Sequence, residues 1–205
     1  MVRLLFIKFV FIDFILFFTQ DLTTYLTNIK HNITLKIIIA ICFAFQIWGA
    51  EVFAQSDDVF TIYLVRHSEK DHFSNNVSDL PLSKCGEQRA IALSSFLNDI
   101  HLDAIYSTDY TRTKNTALPT ADKKGIEITL YNEQDIESFS NLLLENKQNA
   151  LVVGHSNTAG VLTGLLVNQE IGDIDLDVYD HIYQVLIVGK SHRHNLFKSS
   201  FECLE

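Results

Sequence analysis

The side chains in this chain that could do chemistry come directly after apolar segments. Arg66 and His67 end the first of these segments. Arg112 follows the second segment, and His155 follows a later one. An imidazole can attack phosphorus, and a guanidinium can donate parallel hydrogen bonds to phosphate oxygens. A single Arg-His pair is weak support for a site, but recurrence after successive apolar segments favours a shared anion site.

The apolar segments have the length and the β-branched content of buried strands, and segments with helical periodicity lie between them. The predicted strands are Phe60–Val65, Ala104–Ser107, Ile126–Tyr131, Ala150–Val153 and Tyr183–Val188, followed by a polar and basic tail. The predicted helices are 87–97 with Ser83 as N-cap, 110–123 ended by Gly125, 135–146 with Asp135 as a plausible cap, and 158–167. This alternation predicts an α/β fold of three layers, a mostly parallel sheet with helices on both faces.

Because the carboxyl ends of parallel strands lie at one edge of a sheet, we expect the two arginines and the two histidines to converge there. Arg112 falls in the first turn of its predicted helix, where backbone N–H groups and the helix dipole also favour an anion. The sequence therefore predicts a phosphate pocket.

The chain resembles the histidine phosphatase superfamily, also called phosphoglycerate-mutase-like, and most closely its small single-domain bacterial members. The matching motifs run in the family order from Phe60 to about Val188: Leu64-Val-Arg66-His67-Ser-Glu-Lys, Leu82-Ser-x-x-Gly86-x-x-Arg89-Ala90, Ile105-Tyr-Ser107-Thr-x-x-x-Arg112-x-x-x-Thr116-Ala and Val153-Gly-His155-Ser-Asn. Ser68 is a mild departure, because a smaller residue is usual after the histidine of this family.

The resemblance implies metal-independent hydrolysis of phosphomonoesters, with no cofactor and with His67 as the nucleophile that forms a phosphohistidine. Arg66, Arg112 and His155 would bind the equatorial oxygens and stabilise their charge. Lys70 and Ser156 are further candidates for substrate contacts. The substrate would be a phosphorylated small molecule or a phosphoprotein.

The general acid is left open by the sequence. Larger members of the family supply a carboxyl group from a segment after the second arginine, where Glu133 and Asp135 lie here. Glu69, directly beside the nucleophile, is the third candidate catalytic carboxylate, although it could simply pair with a neighbouring cation.

Other functions compete with this interpretation. A catalytically weak module that only binds phosphorylated ligands could use the same fold. Gly154-His-Ser156 also resembles the nucleophile elbow of a serine hydrolase, with Asp177 and either His181 or His192 as partners, but Thr158 replaces the final glycine. The spacing Asp173-x-Asp175-x-Asp177 begins like a calcium loop and is best interpreted as an acidic surface loop.

The front of the chain, residues 1–55, is hydrophobic and is predicted to lie outside the phosphatase domain, residues 56–205. Residues 32–54 have the basic flank, short apolar core and small residues of a secretory signal cleaved after Ala54. We therefore expect a periplasmic or secreted protein. Residues 1–31 suggest a start codon assigned too early or, alternatively, a membrane anchor at Leu4–Phe18.

Charge and cysteine content bear on the partners, metal sites and disulfides that the chain could have. The formal net charge is −9, which argues against nucleic acid as a partner. The absence of a CxxC motif argues against structural zinc, and no metal is expected. Cys85 and Cys203 could pair outside the cytoplasm, but the sequence leaves their pairing open, together with the substrate and the oligomeric state.

Overall fold

A computed structural model describes residues 58–203. The predicted signal segment, the possible anchor at Leu4–Phe18 and the predicted cleavage site lie outside the described residues. Within the described residues, no helix is both long enough and apolar enough to cross a membrane.

Ten elements form the described region. The strands are β1 (Val59–Arg66), β2 (Ala104–Ser107), β3 (Ile128–Leu130), β4 (Ala150–Gly154), β5 (His181–Val188) and β6 (Ser191–Lys198). The helices are α1 (Lys84–Phe96), α2 (Thr111–Lys124), α3 (Ile136–Asn146) and α4 (Ala159–Val167). The predicted helix boundaries are confirmed because their local signals act as expected. Ser83 accepts a hydrogen bond from Gly86 N, Asp135 accepts one from Ser138 N, and Gly125 ends α2 with φ of 67°.

The strands form one sheet in the order β3-β2-β4-β1-β5-β6. The pairs β2–β3, β2–β4 and β1–β4 are parallel, whereas β1–β5 and β5–β6 are antiparallel. The predicted mostly parallel α/β sheet is confirmed, with an antiparallel extension at one side. Strands β1 and β4 are central, and each continues an almost unbroken run of buried residues, as expected for strands covered on both faces.

Two hydrophobic cores lie on opposite faces of the sheet, because successive residues of a strand point to opposite sides. Ile62 and Leu64 of β1 pack with Phe139 of α3 and with Leu162 of α4. The intervening residues of β1 belong to the other core, which contains α1 and α2 through Leu93, Leu97, Ala117 and Ala121. Helices therefore cover both faces, as the alternation of elements predicts.

The polar and basic tail expected after β5 is wrong for residues 191–198, which form β6. Gly189 has φ of 55° and lies in the turn that reverses the chain, so that Ile187 pairs with His192 and His181 with Lys198. β6 is an edge strand with mostly exposed side chains. Its polar composition is typical of sheet edges, and it forms through backbone pairing that hydrophobic periodicity does not reveal.

Cys85 of α1 and Cys203 near the C-terminus form a disulfide, with Cα atoms 5.6 Å apart and a sequence separation of 118. The question that the sequence left open is answered by the fold, which returns the end of the chain to α1. In the same region, Arg89 donates to the carbonyl oxygen of Phe201 at 3.3 Å.

Candidate active site

The carboxyl ends of β1 and β4 form the centre of the site. The backbone N–H of His67 donates to the carbonyl oxygen of Gly154 at 2.9 Å, so the pairing of the two strands continues into the residues that follow them. A Cβ at position 154 would overlap the Thr158 hydroxyl and the Tyr131 phenol, so this approach requires glycine. The segments that carry the two histidines therefore leave the sheet side by side.

His67 is buried, with a relative exposure of 3% for the whole residue. Its Nδ1 lies 2.7 Å from the carbonyl oxygen of Ser68. A carbonyl only accepts, so Nδ1 carries the proton and Nε2 carries the lone pair. Burial lowers the pKa of His67 to about 3, although the Ser68 carbonyl opposes the shift, and Arg112 and Arg66 lower it further. At neutral pH the imidazole is uncharged and nucleophilic at Nε2.

His155 lies next to His67, with ring centroids 5.5 Å apart. Its backbone N–H donates to the Thr158 hydroxyl at 2.7 Å, which holds the turn between β4 and α4. Its Nε2 lies 3.0 Å from the Thr108 hydroxyl at the end of β2. Burial, with Arg112 the next contributor, lowers the pKa of His155 to about 4. The second histidine is therefore also neutral when the site is empty of anions.

Arg66 is 5% exposed and holds the loop before β5. Its Nη1 donates to the carbonyl oxygens of Asp175, Leu176 and Val178 at 2.8 to 3.0 Å. Its guanidinium lies 4.0 Å from the ring centroid of Tyr179 and also donates to the Tyr179 hydroxyl at 3.3 Å. The guanidinium of the residue before His67 is thus oriented by backbone carbonyls of a segment more than a hundred residues away.

Arg112 lies in the first turn of α2, as the sequence predicts. Its guanidinium packs over the Tyr110 ring at 4.2 Å and faces the Asp79 carboxylate, with Nη1 and Oδ1 3.6 Å apart. The Tyr110 ring in turn contacts His155 edge to face, with centroids 5.1 Å apart. These contacts place the second arginine beside the second histidine.

An open cleft of about 310 Å³ connects these groups. The side chains that line it share the carboxyl edge of the sheet; they are Arg66, His67, Lys70, Tyr110, Arg112, Glu133, His155, Ser156, Asn157 and Leu176. The structure therefore brings together the two arginines, the two histidines, Lys70 and Ser156 in one cavity, together with one of the three candidate carboxylates.

The sequence of residues 62–135 matches the family model of the histidine phosphatase superfamily (branch 1). In this part the chain is similar to the histidine phosphatase superfamily, and the matched residues include Arg66, His67 and Arg112. No curated protein matches it by sequence.

Several solved phosphatase structures share the fold at low sequence identity. The protein histidine phosphatase SixA complexed with tungstate has a TM-score of 0.58 and 16% identity, over 68% of this chain and 97% of that one. A putative alpha-ribazole-5'-P phosphatase from Escherichia coli also has a TM-score of 0.58 and 16% identity, over 71% and 99%. A mycobacterial glucosyl-3-phosphoglycerate phosphatase has a TM-score of 0.53 and 12% identity, over 69% and 100%.

Glu69, one of the three candidate catalytic carboxylates predicted from the sequence, is not among the residues that line this cleft. Its two carboxylate oxygens accept from Arg89 Nε at 2.8 and 2.9 Å, and Arg89 Nη2 lies 2.6 Å from Oε1. The backbone explains this orientation: the Glu69 carbonyl accepts from Ser83 N, and a Cβ at Gly86 would overlap the same carbonyl oxygen. Glu69 thus connects the loop after β1 to α1.

The local structure distinguishes the other two candidate carboxylates, Asp135 and Glu133. Asp135 is the N-cap of α3 and accepts from Ser138 N at 3.3 Å, so it acts as a helix cap. Glu133 precedes that helix and lines the cleft with His155. Of the three carboxylates considered from the sequence, Glu133 is the one that the fold places at the cavity.

The structure does not favour the serine hydrolase or the calcium loop considered from the sequence. Across residues 58–203, the Ser156 hydroxyl makes no hydrogen bond to a histidine; His192 Nδ1 instead bonds the Leu166 carbonyl at 2.7 Å. In the acidic segment that begins like a calcium loop, the carbonyl of Asp175 accepts a hydrogen bond from Arg66.

One trio of potential metal ligands comes together within the described part of the chain, formed by Glu69, Cys85 and Cys203. The two sulfurs are bonded to each other and the carboxylate is bonded to Arg89, so this trio has no thiolate to offer a metal.

Sequence reasoning missed three residues that shape the site. Tyr179 supports Arg66, Thr108 contacts His155, and Asp79 contacts Arg112. Thr108 directly follows β2 within a quoted family motif, which was a usable signal. Tyr179 and Asp79 lie in loops without periodicity, and nothing in the sequence indicated their partners.

We expect the two buried histidines to make stability depend on pH. Each has a folded-state pKa below its usual value of about 6.5, so between about pH 4 and 6.5 the unfolded chain binds more protons than the folded one. The contribution of each histidine to the free energy of unfolding is therefore fully present above about pH 6.5. Below that pH it falls by at most about 1.4 kcal/mol per pH unit for each histidine.

Denaturant unfolding measured from pH 7.5 to 4.5 checks this pH dependence. His67→Asn should show a shallower loss, whereas His101→Asn, at an exposed histidine, should match the unsubstituted protein. If the stability of His67→Asn depended on pH as steeply as that of the unsubstituted protein, the lowered pKa of His67 would be contradicted.

Proposed function

We propose that this histidine phosphatase hydrolyses phosphomonoesters without a metal through a phosphohistidine on His67. The observation that carries the proposal is the bond from His67 Nδ1–H to the Ser68 carbonyl, inside a cleft that also contains Arg66, Arg112 and His155. This bond leaves the lone pair on Nε2 and stabilises the positive charge that develops on the ring when Nε2 attacks.

The reaction has two displacement steps in this proposal. His67 Nε2 forms a bond to phosphorus while the bond from phosphorus to the ester oxygen breaks, and the departing oxygen takes a proton. Water then attacks the phosphohistidine, a proton leaves the water, and orthophosphate and free His67 are produced. The arginines neutralise charge on the equatorial oxygens, a role that divalent metals have in other phosphoryl-transfer sites.

His155 provides a proton-linked contact to the phosphoryl group. Its Nε2 lies 3.0 Å from Thr108 Oγ1. The Thr108 hydroxyl also donates to Thr113 Oγ1 at 3.0 Å, so it accepts from the imidazole N–H. The remaining nitrogen, Nδ1, then lacks a proton in the empty site. A bound phosphate dianion favours protonation there, which gives the phosphoryl oxygens an additional charged donor.

We expect His67→Ala to reduce turnover of an aryl phosphate to background, a loss of at least ~10³, because the covalent step is removed. The matched control is His101→Ala, whose imidazole is exposed and paired with Asp103. Rapid-quench trapping should show an acid-labile phosphoenzyme in the unsubstituted protein that is absent from His67→Ala. A phosphoenzyme on another residue would overturn the nucleophile assignment. Orthophosphate binding without any turnover by the unsubstituted protein would instead favour the phospho-ligand-binding module.

Glu133 is the carboxyl group that we propose for proton transfer with the leaving oxygen and with the attacking water. It lines the cleft next to His155, and its charge contributes to the electrostatics of that histidine. Glu69 and Asp135 are engaged with Arg89 and with the N-terminus of α3. A group on the outer side of the cleft can reach the ester oxygen while the arginines hold the phosphoryl oxygens.

We expect the effect of Glu133→Gln to depend on the leaving group. An aryl phosphate with an acidic phenol departs without protonation, so its phosphorylation step should change less than about threefold. Alkyl phosphates need a proton and should lose ~10² in kcat/KM, since general acid catalysis contributes on that order. Asp135→Gln is the matched control outside the cleft. Equal losses for both classes of ester would rule out proton transfer by Glu133 to the leaving oxygen.

The comparisons support the proposal of two classes of substrate. The similar structures include a phosphatase named for protein histidine and phosphatases named for small phosphate esters. The cleft is open and contains Lys70, Tyr110 and Asn157 beyond the phosphoryl-binding groups. We propose a phosphorylated small molecule or a phosphoprotein as substrate, and no nucleic acid.

We also propose that the chain works outside the cytoplasm, as a periplasmic or secreted enzyme. The support from the fold is the pairing of Cys85 with Cys203, because structural disulfides persist in oxidising compartments and are rare in the cytosol. The signal-like features of residues 32–54 support the same location.

Expression of the full chain in a bacterial host should yield a processed protein in the periplasm or medium that begins at Gln55, with no free thiol at Cys85 or Cys203. N-terminal sequencing and thiol labelling under denaturing conditions measure both. A chain starting at Gln55, expressed without the front segment, should stay in the cytoplasm with both thiols reduced. An unprocessed chain in the membrane fraction would favour the anchor at Leu4–Phe18, and an unprocessed cytoplasmic chain would contradict export.

A further inference from the structure

Asp79 lies at the far end of the loop between β1 and α1 and makes its contacts with α2. Its carboxylate oxygens accept from the backbone N–H of Thr111 at 3.0 and 3.1 Å. The Thr111 hydroxyl donates to Oδ2 at 2.6 Å. Oδ1 also lies 3.6 Å from Arg112 Nη1. One side chain therefore contacts both the N-terminus of α2 and the arginine in its first turn.

Helix α2 has no side chain of its own that caps its N-terminus. Tyr110 is its N-cap and makes no side-chain capping bond, and no acidic residue lies in the first turn. Asp79, 32 positions earlier in the chain, provides the missing acceptor and the negative charge that a helix N-terminus favours. Partial burial opposes ionisation, yet the Thr111 hydrogen bonds and Arg112 lower the pKa of Asp79 below its usual value. The carboxylate is therefore charged throughout the neutral range.

The Arg112 side chain is 16% exposed and has contacts on the Asp79 carboxylate and the Tyr110 ring. Long cationic side chains lose much conformational freedom when they are held in one rotamer. A guanidinium that is already oriented before the ligand arrives loses less entropy on binding and keeps its donors in place for the transition state.

We propose that Asp79 is a positioning residue that holds Arg112 in the geometry that binds the phosphoryl group. This inference rests on the proposed function, because it assigns Arg112 to the phosphoryl oxygens. Asp79 itself is not among the residues that line the cleft, so it acts through Arg112 and through the orientation of α2.

If Asp79 instead competed with phosphate, its removal would change phosphate affinity in the opposite direction. The carboxylate occupies the backbone N–H of Thr111 at the start of α2, where the sequence predicts that N–H groups favour a bound anion. If substrate phosphate competed with Asp79 for that position, removal of the carboxylate would strengthen phosphate binding. The direction of the change in phosphate affinity therefore separates positioning from competition.

The test uses Asp79→Asn and Asp79→Ala in the full chain, with Asp109→Asn as the matched control. Asp109 is an exposed acid near the same helix end and pairs with Lys114. The readouts are KM and kcat for an aryl phosphate, the inhibition constant of orthophosphate, and orthophosphate binding by calorimetry. We expect KM, the inhibition constant and the dissociation constant to rise about tenfold for both Asp79 variants, the loss typical of a charged hydrogen-bond partner. The control should change less than about twofold.

Two further measurements separate positioning from loss of stability. A purely structural role lowers the unfolding temperature and the active fraction but leaves KM and the orthophosphate constants unchanged. Thr111→Val removes the hydroxyl donor while leaving Asp79 beside Arg112, so it should lower stability more than phosphate affinity. In an Arg112→Lys background, Asp79→Asn should lose most of its effect on orthophosphate binding, because the two substitutions remove the same interaction.

Unchanged or tighter orthophosphate binding by both Asp79 variants would overturn the inference, as would an undiminished effect in the Arg112→Lys background. Failure of the proposed function looks different: the unsubstituted protein would then hydrolyse no phosphomonoester at all. Calorimetry still reports on Asp79 in that case, because it measures orthophosphate binding without turnover.

Discussion

The parallel pairing of β1 with β4 is the constraint on which the site depends. Arg66 and Gly154 are the last residue pair in the register of the two strands. The hydrogen bond from His67 N to the Gly154 carbonyl continues this pairing by one residue. Two histidines that are far apart in the sequence thereby leave neighbouring strands together, with ring centroids 5.5 Å apart. Gly154 allows the approach of Thr158 and Tyr131 that closes the turn. A change in register would move every side chain of β1 to the opposite face and would separate the histidines.

Burial at this strand end also sets the chemistry. Water is largely excluded from His67, so the neutral imidazole is favoured, and the Ser68 carbonyl selects the tautomer with a free Nε2. The neighbouring arginines act in the same direction, because a cationic imidazole beside them would be repelled. One arrangement therefore places an uncharged imidazole and two guanidinium groups together, as the proposed phosphoryl transfer requires.

The two arginines of the site are held by loops and not by the strand and the helix that carry them. Arg66 is bonded to backbone carbonyls before β5, and Arg112 contacts an aspartate from the loop after β1. Glu69 is turned to Arg89 on α1, in the region where the disulfide joins α1 to the C-terminus. Such contacts orient groups that otherwise have many rotamers, which is a general requirement for electrostatic stabilisation of a transition state.

Local signals in the sequence were sufficient for the elements and for the main site residues. Strand periodicity, the caps at Ser83 and Asp135 and the glycine at position 125 act within a few residues, so the helix ends were predictable from short windows. The convergence of Arg112 and His155 followed from the rule that parallel strands share a carboxyl edge.

Tertiary structure alone decided which partner each charged side chain has. Glu69 could have contacted substrate or any neighbouring cation, and the packing of Gly86 against its backbone directed it to Arg89. The pairing of Asp79 with α2 and of Cys85 with Cys203, and the addition of β6 as an edge strand, depend on segments brought together by the whole fold. Carboxylates, thiols and polar edge strands carry no periodic pattern that encodes a distant partner, whereas burial and capping leave their pattern in neighbouring residues.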